Sequence, residues 1–174
     1  MHFASDRLGG VGDVDLWVAT RASTSEAFGA PKDLGAGINS KSVDDHPNLS
    51  EDGLALYFTS NRAGSSGEAD LWVALRPAPD GSFVSPGNLG PTLNSPSYDG
   101  EASISADVLT LYSASDRPGG IGQRDIWMAA RSSTSAPFGP AKDLGRIVNS
   151  RSNDATPDVS SDGRTLLFLS DRPG

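Results

Sequence analysis

Short apolar stretches separated by turn signals run along the whole chain, and they predict strands. LALYFTS (54–60) and DLWVALR (70–76) are nearly continuous apolar runs, which is typical of strands covered on both faces. HPNLS (46–50) and a tight EDG turn precede them, and FVSPGNL (83–89), whose proline suits an edge strand, follows. No segment shows the 3.6-residue period of an amphipathic helix. This part of the chain therefore predicts four short antiparallel strands.

The same pattern returns with a period of 55 residues. SDRLGGVGDVDLW begins at Ser5, related stretches begin at Ser60 and Ser115, and a shorter one begins at Ser170. A fixed period of this length indicates stacked or radially arranged units. Four hairpin-linked strands per unit predict an all-β fold, a β-propeller of four-stranded antiparallel blades packed around a channel. A linear β-solenoid is the alternative, but its coils are usually shorter.

The repeat divides the chain into a single partial propeller covering 1–174. The units lie at about 1–42, 43–97, 98–152 and 153–174, of which the first and last are incomplete. About three blades are fewer than the four to eight that close a ring. We favour a piece of a longer protein, in which case any signal peptide lies upstream. The alternative is a homodimer that closes a six-bladed ring and covers strand edges prone to aggregation.

Residues that recur in every unit predict structural roles. All three tryptophans occupy one repeat position, two residues after an aspartate, which indicates packing between units. We expect the aspartates to accept hydrogen bonds from turn amides, and the arginines of the SDR motifs to pair with a nearby acid or carbonyl. The structural set comprises Asp15, Trp17, Asp70, Trp72, Asp125 and Trp127, with Arg7, Arg62 and Arg117 and a fourth arginine, Arg172.

Four stretches carry a resemblance to a known family. SEDGLALYFTSNR, SSDGRTLLFLSDR, DIW and FGPAKDLG…VNS resemble TolB-type, WD-repeat-like β-propeller repeats of the bacterial cell envelope. The resemblance covers the whole chain and implies a protein-binding or scaffold module that is periplasmic or secreted, with a protein or cell-wall component as partner. Such repeats occur in the periplasmic Tol–Pal system, beside peptidoglycan-binding domains, and on peptidases. The chain departs from its own pattern at Val108, a turn-glycine position, and at Ser113, where other units have phenylalanine.

Composition narrows the classes of partner. The chain has 14 Lys and Arg against 22 Asp and Glu, a net charge of −8, which argues against binding nucleic acid or an anionic membrane surface. Cysteine is absent, so disulfides and thiolate metal sites are excluded. No apolar run approaches the ~18 residues of a membrane span. The 20 glycines and 12 prolines suit a turn-rich all-β chain.

Metal, phosphate and catalytic motifs are weak or missing. The glycines of SDRPGGIGQRD lack the Gly-Lys-Ser/Thr ending of a phosphate loop and join two strands. Asp13 and Asp15 alternate, but no calcium-loop ladder follows them. The Gly-x-Ser-x-Gly elbow is missing, and His2 and His46 are the only histidines. We therefore expect no catalytic residue, metal or cofactor. The alternative is the propeller domain of a hydrolase, either a peptidase gating ring or a glycosidase-like domain.

Positions that differ between otherwise similar units predict recognition, because a shared backbone does not require the difference. The loops between second and third strands and the links between blades emerge on one face of a propeller. The residues near the start of each innermost strand vary between units, and Tyr98 adds an aromatic side chain that we expect to be exposed. The predicted ligand- or partner-binding residues are Asp45, His46, Tyr98, Glu101 and Thr156.

Overall fold

A computed structural model describes residues 1–173, so Gly174, the last residue of the fourth predicted unit, lies outside the described residues. Strands β1 to β13 form four antiparallel sheets, and residues 1–173 contain no helix. The all-β class and the propeller-type sheets predicted from the repeat are confirmed. Over the same range, no helical segment has the length and apolarity needed to cross a membrane.

The four sheets succeed one another along the chain, and within each sheet hydrogen-bonded neighbours are consecutive in sequence. The first sheet contains β1 (His2–Ser5), β2 (Asp15–Val18) and β3 (Lys32–Asp33). The second contains β4 (Asp44–Leu49), β5 (Ala55–Ser60), β6 (Asp70–Leu75) and β7 (Gly87–Asn88). The third contains β8 (Asp99–Ile104), β9 (Thr110–Ser115), β10 (Asp125–Ala130) and β11 (Lys142–Asp143). The fourth contains β12 (Asp154–Val159) and β13 (Leu166–Ser170). The residue boundaries given above for the four repeat units stay predictions.

Two strand limits differ from those expected in the second unit. The innermost strand begins two residues earlier than predicted, because Asp44 pairs with Ser60 across the β4–β5 ladder. The outermost strand is only two residues long, Gly87 and Asn88, and pairs with Trp72 and Val73 in the middle of β6. Pro86 immediately precedes it and has no N–H to donate to a longer ladder.

In the second, third and fourth sheets, a buried aspartate and an arginine lock the sheet to the link before it. Asp44 is fully buried, and its Oδ1 accepts hydrogen bonds from Ser60 Oγ (2.5 Å) and Arg62 Nη2 (2.5 Å). Arg62 Nη2 also donates to the carbonyl of Ile38, which belongs to the preceding link (2.8 Å). The same arrangement recurs in the next two sheets between Asp99 and Arg117 and between Asp154 and Arg172.

The aspartates that precede the tryptophans accept hydrogen bonds from loop amides. Asp15 Oδ2 accepts from the Val11 amide at 2.8 Å, and the equivalent bonds in the next two sheets are 2.8 and 2.7 Å long. The tryptophans are buried, with 6 to 8% of their surface exposed. Trp72 belongs to the same buried cluster as Leu16 of the first sheet and Ile38 of the link after it, so it lies between neighbouring sheets. Arg7 stacks on Trp17, 5.1 Å from the ring centroid.

The two departures from the repeat pattern have distinct structural consequences. Val108 adopts φ 60°, close to the φ of 71° at its glycine counterpart Gly53, and its side chain is buried in the core between the second and third sheets. A β-branched residue rarely adopts this left-handed conformation. Ser113 replaces the phenylalanine on which the SDR arginine stacks elsewhere, so Arg117 stacks on Trp127 alone.

Candidate functional site

The innermost strands β4, β8 and β12 carry a β-bulge at the same position. The pairing register shifts between Asp45 and Asn48 in β4, and at equivalent positions in β8 and β12. One residue of each bulge has a positive φ: His46 at 47°, Glu101 at 59° and Thr156 at 47°. Residues other than glycine rarely adopt this conformation, and a bulge re-aims the side chain at its position. The backbone therefore presents three different side chains in the same manner.

These three residues line one shallow depression. It has a volume of about 240 Å³ and is open to solvent. Asn48 and Asp158, which end the bulges of β4 and β12, share its wall. We call this depression, together with Asp45, the bulge site. It belongs to the innermost strands of three consecutive sheets, where a propeller has its channel.

Glu101 is the buried centre of the bulge site. Its side chain is 4% exposed, and Oε1 accepts hydrogen bonds from Arg124 Nη1 (2.8 Å) and Tyr98 Oη (3.1 Å). Oε2 accepts from the backbone amide of Thr156 at 2.5 Å, which joins the third sheet to the fourth. The guanidinium of Arg124 also lies over the ring of Tyr98, 3.9 Å from its centroid. A buried carboxylate is tolerated only with such pairing, so this network satisfies Glu101 from several sides.

The backbone next to Glu101 is packed as closely as glycine allows. A Cβ at Gly100 would lie 2.6 Å from Tyr98 Oη and 2.8 Å from the side chain of Thr59. Thr59 Oγ1 accepts a hydrogen bond from the Glu101 amide at 2.8 Å, which ties the third sheet to the second. The positions of Tyr98 and Glu101 are therefore fixed by contacts with two neighbouring sheets.

His46 and Asp45 form the solvent-facing part of the bulge site. His46 Nδ1 lies 3.0 Å from Asp45 Oδ1, and 40% of the imidazole surface is exposed. The Asp45 contact raises the pKa of His46, burial opposes that shift, and the Glu101 charge adds to the rise. The pKa of Tyr98 is raised too, chiefly by burial and then by the Glu101 charge, so its hydroxyl remains a donor. His46 thus offers a positive or donor group at the surface.

The predicted site residues do lie near one another, but their exposure differs from expectation. Tyr98 is not the exposed aromatic that the sequence predicts, because its ring is covered by Arg124 and its hydroxyl is bound to Glu101. Glu101 is buried, whereas His46 is exposed, and Asp45 and Thr156 are half-buried.

Sequence reasoning missed two residues of the network, Arg124 and Thr59. Arg124 replaces Val14 and Ala69 at the equivalent positions, and Thr59 replaces alanine or leucine in the other units. The criterion that selected the other candidates, a difference between equivalent positions, therefore detects both of them. Neither residue lies in an innermost strand or in the link before one, which is where recognition residues were expected.

The two acids of the bulge site are already engaged with other side chains. Both carboxylate oxygens of Glu101 are occupied by donors, and Asp45 lies against His46, so the two acids are not a free carboxyl pair of the kind a glycosidase uses. Among residues 1–173, no cluster of three or more His, Cys, Asp or Glu side chains has the arrangement that a metal ion needs. The groups open to a ligand are the imidazole of His46, the hydroxyl of Thr156 and the carboxylate of Asp158.

Comparisons with known proteins give a single kind of relationship, one of fold. No protein-family model matches the chain, and no curated protein matches it in sequence. Among solved structures, the chain is similar to TolB from Acinetobacter baumannii, with a TM-score of 0.63 and 13% sequence identity. The match covers 99% of this chain and 36% of TolB, so the chain spans about a third of that protein. At this identity the likeness establishes the fold alone: the sheets have a TolB-like β-propeller fold and make up part of a ring.

Proposed function

We propose that this chain is a non-catalytic module that binds a protein or cell-wall component through the bulge site. The observation that carries the proposal is the three bulges, which place His46, Glu101 and Thr156 on the same backbone with different side chains. A structural requirement common to the three strands would select similar residues at these positions. Different residues on equivalent, strained backbone are what a recognition surface requires.

The bulge site has the rigidity that recognition favours. Glu101 links its own strand to Arg124 and to the amide of Thr156, while the Glu101 amide is bound to Thr59. The exposed groups of the site therefore stand on a fixed framework, and little conformational entropy is lost when a partner binds. The mixture of a donor imidazole, a hydroxyl and acids suits a polar partner surface.

A periplasmic or secreted location is part of the same proposal. It is supported by the resemblance of the repeats to envelope propellers and by the fold likeness to TolB. No observation in the structure favours the hydrolase alternative, since the acids nearest the channel are engaged with Arg124 and His46. Hydrolysis of a peptide or glycoside is therefore tested below as an outcome that would contradict the proposal.

Site-specific photocrosslinking tests the proposal. A photoreactive phenylalanine analogue replaces His46 in the chain, expressed in the periplasm of a Gram-negative bacterium, and the control carries it at exposed Glu26 in the β2–β3 loop, at the other end of the strands. We expect a discrete crosslinked product from position 46 alone. The partner captured in that product, once purified by itself, should bind the unmodified chain about tenfold more tightly than it binds the Asp45→Ala/His46→Ala variant. Its affinity for the Glu26→Ala variant should be unchanged.

Two results would contradict the proposal. Equal crosslinking from positions 46 and 26 would mean that the bulge site is not the contact surface. Turnover of a peptide or glycoside substrate that disappears in Glu101→Gln or Asp45→Asn would instead establish the hydrolase alternative.

A further inference from the structure

A second depression lies where the β9–β10 loop meets the link between the third and fourth sheets. It has a volume of about 440 Å³ and is lined by Gly120 and Ile121 of the β9–β10 loop and by Arg146, Asn149, Ser150 and Arg151 of the link between β11 and β12. We call it the arginine cleft. It shares no residue with the bulge site.

The two arginines of the cleft are unpaired within residues 1–173. The ion pairs in this part of the chain engage other cations, and neither Arg146 nor Arg151 has a carboxylate oxygen within 4.0 Å. Both side chains are exposed. In a chain of net charge −8, two guanidinium groups that line one cleft without an acidic partner form a local positive patch. Such a patch attracts an anionic group from outside the chain.

The other polar groups of the cleft are already engaged. Asn149 Oδ1 accepts from the amide of Ile126, and its Nδ2 donates to the carbonyl of the same residue and to Asp143. Ser150 Oγ donates to Asp154 Oδ2 at 2.8 Å. At Gly120, a Cβ would fall 2.1 Å from Asp125 Oδ2, so the loop is held close to that acid. The floor of the cleft is therefore fixed, and its free donors are the two guanidinium groups.

The arginines belong to this unit alone. At the equivalent positions the first link has Ala36 and Lys41, and the second has two prolines. The residue after Arg146 is also special, because Ile147 is 97% exposed, whereas glycine and threonine stand at its equivalents. An aliphatic side chain left in water beside two cations is not explained by packing within the chain.

We propose that the arginine cleft binds an acidic segment of a protein partner, with carboxylates on Arg146 and Arg151 and an apolar side chain against Ile147. Guanidinium groups pair with carboxylates through two parallel hydrogen bonds, which gives both strength and orientation. The exposed isoleucine favours a protein over a nucleic acid, because it needs an apolar contact. The net charge of −8 also repels a long polyanion.

Fluorescence anisotropy with a labelled peptide tests the inference on the full chain. The probe alternates glutamate with leucine, and a matched peptide has lysine in place of glutamate. We expect saturable binding of the acidic peptide alone, weakened about fivefold by either Arg146→Ala or Arg151→Ala. Arg164→Ala removes the same charge from an exposed turn between β12 and β13 and should change affinity less than about twofold.

Two further variants separate a specific contact from general attraction. Ile147→Ser should weaken binding of the leucine-containing peptide and leave a glycine-substituted version unchanged. Arg146→Glu/Arg151→Glu should transfer binding to the lysine peptide, a gain that a misfolded variant cannot show. His46→Ala should leave peptide affinity unchanged, so this inference and the bulge-site proposal fail independently.

Three results would overturn the inference: no saturation below about 1 mM peptide, an equal loss in Arg164→Ala, or tighter binding of an oligonucleotide of the same charge.

Discussion

Replacing Glu101 by alanine removes the acceptor shared by three donors in the bulge site. The guanidinium of Arg124, 28% exposed, loses its carboxylate, and the Tyr98 hydroxyl and the Thr156 amide lose their acceptor. Removing one partner of a buried ion pair costs about 3–5 kcal/mol, and partial exposure of Arg124 places this case near the lower end. We expect the free energy of unfolding to fall by about 3 kcal/mol in Glu101→Ala.

Three companion variants separate the sources of that loss. Glu101→Gln keeps an oxygen acceptor and should cost about half as much. Glu101→Gly removes the same contacts but suits a φ of 59°, so it should be about 1 kcal/mol more stable than Glu101→Ala. In a double-mutant cycle with Arg124→Ala, the coupling energy should exceed about 1 kcal/mol.

Urea unfolding followed by tryptophan fluorescence provides the measurement, because the three tryptophans are buried between or within the sheets. The midpoint and slope give the free energy of unfolding by linear extrapolation, and an unchanged slope shows that only stability has altered. A loss below about 1 kcal/mol in Glu101→Ala, or a coupling energy near zero with Arg124→Ala, would refute the view that this ion pair within the third sheet holds Glu101 in place for its bond to the fourth.

Three other predictions follow from particular residues. Val108→Gly relieves a strained φ of 60° but removes a buried side chain, so calorimetry should show a net loss of about 1 kcal/mol, and a gain in stability would contradict that balance. Because the folded-state pKa of His46 is raised above 6.5, its stabilising contribution is complete below that pH and is lost as pH rises through the folded pKa; the pH dependence of the melting temperature should show this loss and Asp45→Asn should remove it. Leu167 and Leu169 of β13 are 64% and 67% exposed, so Leu167→Lys/Leu169→Lys should reduce self-association in sedimentation velocity; unchanged association would mean that this strand face is not a contact between copies.

The repeat predicted most of the architecture because the same residues make the same contacts in successive sheets. The aspartate before each tryptophan and the arginine of each SDR motif lie where a common backbone requires a fixed partner. The bulges were not predictable, because His46, Glu101 and Thr156 share no side-chain property that signals a left-handed backbone. The pairing register shows one extra residue at this point of each innermost strand, and sequence alone does not reveal which residue of the bulge is left-handed.

The burial of the bulge-site residues was harder to predict than their position. A glutamate and a tyrosine near the start of a strand are normally expected to be exposed to solvent. Arg124, which contacts both of them, is 23 residues from Glu101 in sequence. The ladder of the third sheet brings these segments together, because Ser115 of β9 pairs with Asp99 of β8 on one side and with Asp125 of β10 on the other. Period and composition do not encode that contact.

The junction between the third and fourth sheets concentrates the residues that break the repeat. Glu101, paired with Arg124, accepts the Thr156 amide across the junction, and Arg146 and Arg151 lie in the link that crosses it. The general anchoring of the sheets is already supplied by the repeated buried aspartates, each paired with an arginine. The Glu101–Arg124 pair is additional to these, and within residues 1–173 it holds Glu101 in place for its bond to the Thr156 amide. A junction fixed in this way is what the two proposed binding sites require.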